Sequence, residues 1–342
     1  MKNLLQEKRI FIIGGPGGVG KTTLAASLGV HSAQSGYKSV VLTVDPARRL
    51  AQALGFSNFS NDLQKVDLGP GAKGELEASM LDVERYFDKV ISRFAKTDTQ
   101  REKILNNRLY RTMVESLGGS HEYAAMERLL EFSNQDRFEK IIIDTPPTQN
   151  AIELLSAPER LADFMDNSVL KWFQSSSPKY LKFFKQGTKL AMKLLEKVFG
   201  AEFIAALSQT LDDLEGMQSG FRERNLEVIR ILKSPTSCFM LVTYPSEARY
   251  LETVDFIATL KSFGISLGGL FLNRIEPDCP LYESTENLAA RDLARYQHEL
   301  HAQQLEWIEK FKALGLPICF IEKEAVPAQD LAALSRLGKT LF

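Results

Sequence analysis

The sequence predicts an α/β fold: a doubly wound, mostly parallel sheet with a helical insertion subdomain. Three observations predict it. The apolar run Arg9-Ile10-Phe11-Ile12-Ile13 leads through a glycine-rich turn into an Ala/Leu-rich helical pattern. Two more β-branched runs, Lys38–Asp45 and Lys140–Asp144, each end in an aspartate, and strands buried on both faces read as such continuous apolar runs. From about residue 151 to 233 the pattern is helical, and strand-like runs resume only at Ser237. Residues 1–150 and 234–342 are therefore expected to build one sheet, interrupted by a helical subdomain at 151–233.

The glycine-rich turn, Gly14-Gly15-Pro16-Gly17-Gly18-Val19-Gly20-Lys21-Thr22-Thr23, fits G-x-x-x-x-G-K-[ST], a phosphate-binding loop. Small residues let backbone N–H groups turn inward around phosphate oxygens, and the following helix presents its positive N-terminus to them. In that pattern Gly15, Pro16, Gly17, Gly18, Val19, Gly20 and Thr23 form the cradle. Lys21 reaches the β- and γ-phosphates and the Thr22 hydroxyl ligates Mg2+. Gly15 to Gly20 also satisfies G-x-G-x-x-G, with Asp45 near the end of the next strand, so a dinucleotide site competes. Lys21-Thr22 decides between them, because a nucleoside triphosphate and its metal use both side chains and a dinucleotide uses neither. The residues read as a P-loop NTPase core.

Asp45 ends the second strand, at the edge where open α/β sheets bind ligands. In Asp45-Pro46-Ala47-Arg48-Arg49-Leu50 its carboxylate is placed to hold or activate an attacking water. Capping of a helix that begins near Pro46 is the alternative, and the two roles are compatible. Glu75–Leu81 is a weaker strand. Residues 82–134 are mostly helical, with Val83, Phe87, Val90 and Ile91 at helical spacing. Gly118-Gly119-Ser120-His121-Glu122 interrupts them, either as a turn near phosphate or as a helix start capped by Ser120. His121 has no second ligand at useful spacing, so a metal role is not expected. Lys140–Asp144 then aims Asp144 at the metal held by the phosphate loop, ahead of Thr145-Pro146-Pro147-Thr148.

Composition narrows the classes. The formal net charge of -1 over 342 residues leaves no overall electrostatic footprint for nucleic acid, and no partner of that class is expected. No apolar stretch spans a bilayer and Met1–Glu7 lacks the apolar centre of a secretory signal, so a cytoplasmic location is expected. Cys238, Cys279 and Cys319 stand far apart with no C-x-x-C pair and read as reduced thiols.

Taken together, Gly17-Gly18-Val19-Gly20-Lys21-Thr22-Thr23, Asp45-Pro46-Ala47 and Asp144-Thr145-Pro146-Pro147-Thr148 followed by Ala157-Pro158 resemble the ArsA/GET family. That family includes the arsenite-pump ATPase and the tail-anchored-protein targeting ATPase, within the dimeric deviant-Walker class. Leu272-Asn273-Arg274 resembles its adenine-reading motif and Leu316-Pro317-Ile318 its second base-contacting loop. The resemblance implies ATP and Mg2+ as cofactors, with Lys21 and Asp45 catalytic. Asp45 would position the attacking water, Thr22 and Asp144 would support the metal, Asn273 would hydrogen-bond adenine, and Pro317 would pack near it. It also implies a homodimer or a heterodimer with a related ATPase. Three departures qualify this. Pro16 stands where the family carries a lysine that reaches the partner's phosphates, and proline offers neither charge nor N–H. Either intrinsic hydrolysis is slow or the charge comes from elsewhere: Arg48, Arg49 or a basic residue of another chain substitutes on one reading, and both arginines are solvated or bind carboxylates on the other. The C-x-x-C zinc clasp is absent, and no cluster of thiols suits arsenic.

Within 151–233, Phe164, Met165, Val169, Leu170, Trp172 and Phe173 form one apolar cluster and Phe183 to Phe199 another, the latter flanked by Lys182, Lys185, Lys189, Lys193 and Lys197. Spacing of three or four places these lysines on one helix face, either a solvated stripe or a surface for anionic membrane or an acidic partner. The remainder alternates: strands Ser237–Tyr244, Leu267–Asn273 and Pro317–Ile321, and helices Glu247–Phe263, Asn287–Leu314 and Ala328–Leu341. The function expected is an ATP-hydrolysing switch that moves a helical subdomain bound to a hydrophobic protein client or a membrane component. An ATP sensor with little hydrolysis, a membrane-surface ATPase of the division-positioning type and a small-molecule kinase stay open.

Overall fold

A computed structural model of the chain describes residues 3–44, 49–56, 62–108, 110, 111, 114, 120–145, 218–265, 267–279, 287–323 and 330–341. In chain order the elements are α1 (Leu4–Glu7), β1 (Ile10–Gly14), α2 (Lys21–Gln34), β2 (Lys38–Thr43), α3 (Arg49–Ala53), β3 (Gln64–Lys65), β4 (Glu75–Met80), α4 (Val83–Phe94), α5 (Asp98–Leu105), α6 (Ser120–Ser133) and β5 (Lys140–Asp144). They continue with α7 (Gln218–Leu232), β6 (Ser237–Thr243), α8 (Glu247–Ser262), β7 (Leu267–Ile275), α9 (Leu288–Lys312), β8 (Ile318–Glu322) and α10 (Leu331–Leu341). The chain divides into two compact units, one of Met1–Leu81, Arg128–Leu154 and Arg230–Phe342, the other of Asp82–Glu127 and Leu155–Ile229.

All eight strands belong to the first unit, in the order β3-β4-β2-β5-β1-β6-β7-β8. Every pairing is parallel except β3 with β4, so the expected α/β class and mostly parallel sheet are borne out. The double winding follows from the period of two along a strand. On β6, Cys238, Met240 and Val242 join one apolar cluster with Leu24 and Leu28 of α2 and Leu334 and Leu341 of α10. The intervening Leu241 joins another, with Leu270 and Leu272 of β7 and Ile308 and Phe311 of α9. Strand β1 is buried throughout and central in the sheet, with β5 on one side and β6 on the other. Helix α10 packs Leu334 and Leu341 into the core beside α2.

Two small elements were not legible in the pattern, α1 and β3, whereas the helix expected to begin near Pro46 is described as α3, from Arg49. Strand β3 is two polar residues at the sheet edge, tied by a Lys65–Glu75 ion pair of 2.7 Å, and edge strands are often this short. Strand β7 also runs past Asn273 to Ile275, through a register shift between Leu272 and Ile275.

In the second unit, Asp82 caps α4 by accepting from the Arg85 N–H at 3.0 Å, and Val83, Phe87, Val90 and Ile91 are buried as their spacing predicts. Glu127 of α6 is fully buried and pairs with Arg224 of α7 at 2.6 Å. Expectations placed on Gly118-Gly119, Pro146-Pro147-Thr148, Ala157-Pro158 and the two apolar clusters with their lysines lie outside the described residues. Among the described residues no helix is long and apolar enough to cross a membrane.

Candidate nucleotide site

The site is built where β1 stops. Gly14 ends the strand and α2 begins at Lys21, so residues 15–20 must turn sharply between two buried elements. Glycine is required at two points for different reasons. Gly15 has φ 141°, and a Cβ there would lie 2.2 Å from the Val242 carbonyl oxygen of β6. Gly20, at the helix N-cap with φ 103°, would place a Cβ 2.5 Å from Asn273 Nδ2. Both conformations are ones that side chains other than glycine rarely adopt. Val19 anchors the turn, with its side chain fully buried in the core, while Gly17 and Gly18 are exposed and Pro16, Thr22 and Thr23 are half-buried.

The Lys21 side chain is turned into the loop rather than out to solvent. Its ammonium donates to the Gly15 and Pro16 carbonyls, each at 2.9 Å, and the residue is 6% exposed. A buried ammonium needs such partners, and phosphate oxygens are stronger acceptors for it than carbonyls.

Asp144 lies at the carboxyl end of β5, fully buried, paired in register with Ile13 of β1 and with Thr43 of β2. Thr43 Oγ1 donates to Asp144 Oδ2 at 2.9 Å, which fixes the carboxylate next to the strand that feeds the loop. The Thr145 hydroxyl donates to the Ile13 carbonyl at 2.8 Å and ties β5 to β1 just before the turn. Thr43 was missed in the sequence because it sits inside a β-branched run, where threonine is an ordinary strand residue.

A cavity of about 620 Å³, within the range of small-molecule sites, opens from Gly20 and Thr23. Its other described lining includes Val242, Tyr244, Asn273, Arg274, Gln304 and Lys323. Asn273 thus stands beside the cavity, but its Nδ2 donates to the Val19 carbonyl at 2.7 Å and its Oδ1 accepts from the Arg274 N–H at 2.9 Å. Pro317 is not brought to this place. It precedes β8 and its carbonyl accepts from the Leu270 N–H, whereas the cavity is lined by Glu322 and Lys323 at the other end of that strand. Five residues of strand separate the two ends by roughly 16 Å. Asp45 and Arg48 lie outside the described residues, as does the side chain of Arg49, the first residue of α3.

Loop, buried lysine and strand-end carboxylate together are the parts of a P-loop phosphate site. A family model described as anion-transporting ATPase, the ArsA family, matches residues 8–337. The chain belongs to this family. ATPase GET3C of Arabidopsis thaliana is 26% identical over 358 aligned residues, covering 95% of this chain and 81% of that protein. ATPase GET3B of the same plant is 27% identical, covering 94% and 77%. Putative arsenical pump-driving ATPase 2 of Aquifex aeolicus (strain VF5) is 25% identical, covering 94% and 93%. The ArsA/GET resemblance read from the motifs is therefore borne out, and ATP binding and hydrolysis come with membership of the ArsA ATPase family.

Proposed function

We propose that the chain is a Mg-ATP-driven switch in which turnover at the phosphate loop repositions the helical subdomain at 151–233, the part that engages a client or partner. The observation that carries it is Lys21, buried and turned into a loop that leaves no room for a Cβ at Gly15, at the end of the strand whose Ile13 is paired in register with Asp144. On triphosphate binding the ammonium exchanges two backbone carbonyls for β- and γ-phosphate oxygens. Thr22 and Asp144 would hold Mg2+, which when bound would neutralise phosphate charge. Asp45 positions the attacking water. The base occupies the cavity beyond Gly20 and Thr23, next to Asn273.

Pro16 bears on rate. A second cation at the transferring phosphate is worth about 10³–10⁵ in phosphoryl transfer, and Pro16 cannot supply one. Arg48, Arg49 or a partner's basic residue takes that role, and the isolated chain turns over slowly. By resemblance the working form is a homodimer or a heterodimer with a related ATPase, cytoplasmic with peripheral membrane contact, and its client is a hydrophobic protein or membrane component. An arsenical cargo is less favoured. Cys238 and Cys319 lie on β6 and β8 with β7 between them, and the register, which sets Cys319 level with Val242, offsets them by four residues along the strands, so that they stand roughly 16 Å apart; Cys279 follows β7. Burial pushes the Cys238 thiol up to about 12, away from the thiolate a soft metal requires.

Hydrogen exchange with and without Mg-ATP tests the switch, using wild type and Asp45→Asn to slow hydrolysis. Changed exchange across 151–233 on adding Mg-ATP, prolonged in Asp45→Asn, is expected. Protection at 14–23 with no change in 151–233 would mean that nucleotide binds without moving the insertion. Capture of a hydrophobic client or a homologous chain by ATP-loaded Asp45→Asn would then assign the partner.

A further inference from the structure

Strand β6 ends at Thr243 and runs into Tyr244-Pro245, and the proline shapes what precedes it. A residue before proline is driven toward extended backbone, so Tyr244 continues the alternation of the strand for one more step. Val242 and Tyr244 accordingly share a face, and both pack in the cluster that holds Leu24 of α2 and Leu334 of α10. The same strand end meets the phosphate loop, since a Cβ at Gly15 would lie 2.2 Å from the Val242 carbonyl oxygen. Tyr244 is half-buried, and it is the one aromatic residue among the described residues that line the cavity opening from Gly20 and Thr23. Its ring is held from the first turn of α8. The Arg249 guanidinium carbon lies over it, 5.2 Å from the ring centroid, and Arg249 is itself fixed by an ion pair with Glu252 at 2.6 Å.

We propose that Tyr244 is a base-contacting residue that stacks one face of its ring on the purine of the bound nucleotide, with Arg249 the positioning residue that holds the ring from its other face. The inference rests on the reading of this cavity as the base site. A purine presents a polar edge and two apolar faces, and these need different partners. The family resemblance assigns the edge to Asn273, and a carboxamide spent on the edge leaves the faces uncovered. An aromatic ring covers a flat base over its whole width without opposing its polar atoms. Leu24, Ile321 and Leu337 add apolar surface around it. Cation–π attraction to Arg249 sets the ring before a nucleotide arrives, so less side-chain freedom is lost on binding. The phosphates lie on the loop N–H groups and Lys21 and do not use the ring. Its contribution therefore falls on the base alone, in full for a purine and in part for the smaller pyrimidine.

The test is a set of dissociation constants for Mg-ATP, Mg-CTP and Mg-tripolyphosphate with wild type, Tyr244→Met, Tyr244→Phe and Arg249→Gln. Stacking predicts that Tyr244→Met weakens Mg-ATP about tenfold and Mg-CTP by less, with tripolyphosphate held within about twofold of wild type. Tyr244→Phe keeps the ring and rescues the loss. Arg249→Gln weakens Mg-ATP about threefold, again without weakening tripolyphosphate. A common loss for all three ligands in Tyr244→Met would mean that the ring only packs the strand end against the loop, and an unchanged ATP constant would mean that it meets no base. Either result overturns the proposal. If Tyr244→Met does not fold, photolabelling of the wild type with Mg-8-azido-ATP decides. Attachment within residues 237–247 that excess ATP suppresses is expected, and suppressible attachment confined to other segments would overturn the proposal. Wild type that binds neither ATP nor tripolyphosphate would remove the nucleotide reading itself, a failure distinct from that of the stack.

Discussion

At the scale of the residue, the phosphate loop is specified by exclusions more than by attractions. Gly15 faces a β6 carbonyl that a methyl group would overlap, so Gly15→Ala is expected to lose ATP binding and to destabilise the fold by more than about 2 kcal/mol. Equilibrium unfolding and ATP titration check this. Thr43 is the complementary case. Thr43→Val keeps the volume but removes the donor to Asp144 Oδ2, and turnover is expected to demand about tenfold more Mg2+ with melting little changed. Unaltered Mg2+ dependence would mean that the hydroxyl does not orient the carboxylate. The missing cation at Pro16 is testable in the same assay. Arg48→Ala and Arg49→Ala should show at least one loss of about 10²-fold, and Pro16→Lys a gain. The loop glycines and Lys21 stand out because the motif fixes their spacing, Asp144 because it ends an apolar strand, and Asn273 through the family resemblance alone. Thr43 does not, since it matters through a hydrogen bond to a residue far along the chain, and nothing local in its strand marks it. Pro317 entered through the resemblance of Leu316-Pro317-Ile318 alone, and the structure sets it at the start of β8, away from the Gly20 cavity.

At the scale of the element, seven of the eight described strands were legible to within two residues at either end, because parallel strands covered on both faces read as apolar β-branched runs; β3, two polar residues, was not. What sequence could not convey is how closely the helices approach. Helix α10 crosses α2 at Gly338, where a Cβ would lie 2.7 Å from the Ser27 carbonyl oxygen and 2.8 Å from His31 Cβ. Gly338→Val should therefore cost about 1–3 kcal/mol in urea unfolding, while exposed changes on α10 stay within about 0.5 kcal/mol. His31 sits at the same crossing, and its pKa is lowered by burial and then by Lys339. The folded state thus binds the proton less readily than the unfolded one. The stability that His31 contributes is complete above its ordinary value near 6.5 and is lost as pH falls through the lower folded value. The fall in melting temperature between pH 7.5 and 5.5 should be smaller in His31→Gln than in wild type; an equal fall would place the effect elsewhere.

At the scale of the whole molecule, the sheet and its site are drawn from three separated stretches, and the second unit from two, 82–127 and 155–229. The change of pattern at 151 marks where strands give way to helices, whereas the grouping of 82–127 with the later stretch depends on contacts between segments about 100 residues apart, which local periodicity does not carry. One such contact is Glu127 with Arg224, a carboxylate that reads in sequence as an ordinary helix-surface acid but is fully buried. Removing one partner leaves the other charge without its counterion, so Glu127→Gln is expected to cost about 3 kcal/mol, while Glu127→Met with Arg224→Met recovers most of it. Chemical denaturation of the three proteins checks the pair. Turnover at this site is expected to depend on Lys21, the buried ammonium turned into the loop. The direct measurement is steady-state ATP hydrolysis by the purified chain with Mg2+, beside a folded Lys21→Ala variant. Slow, saturable, Mg2+-dependent turnover in the wild type that falls to background in Lys21→Ala is the predicted result; equal turnover in both proteins would contradict it.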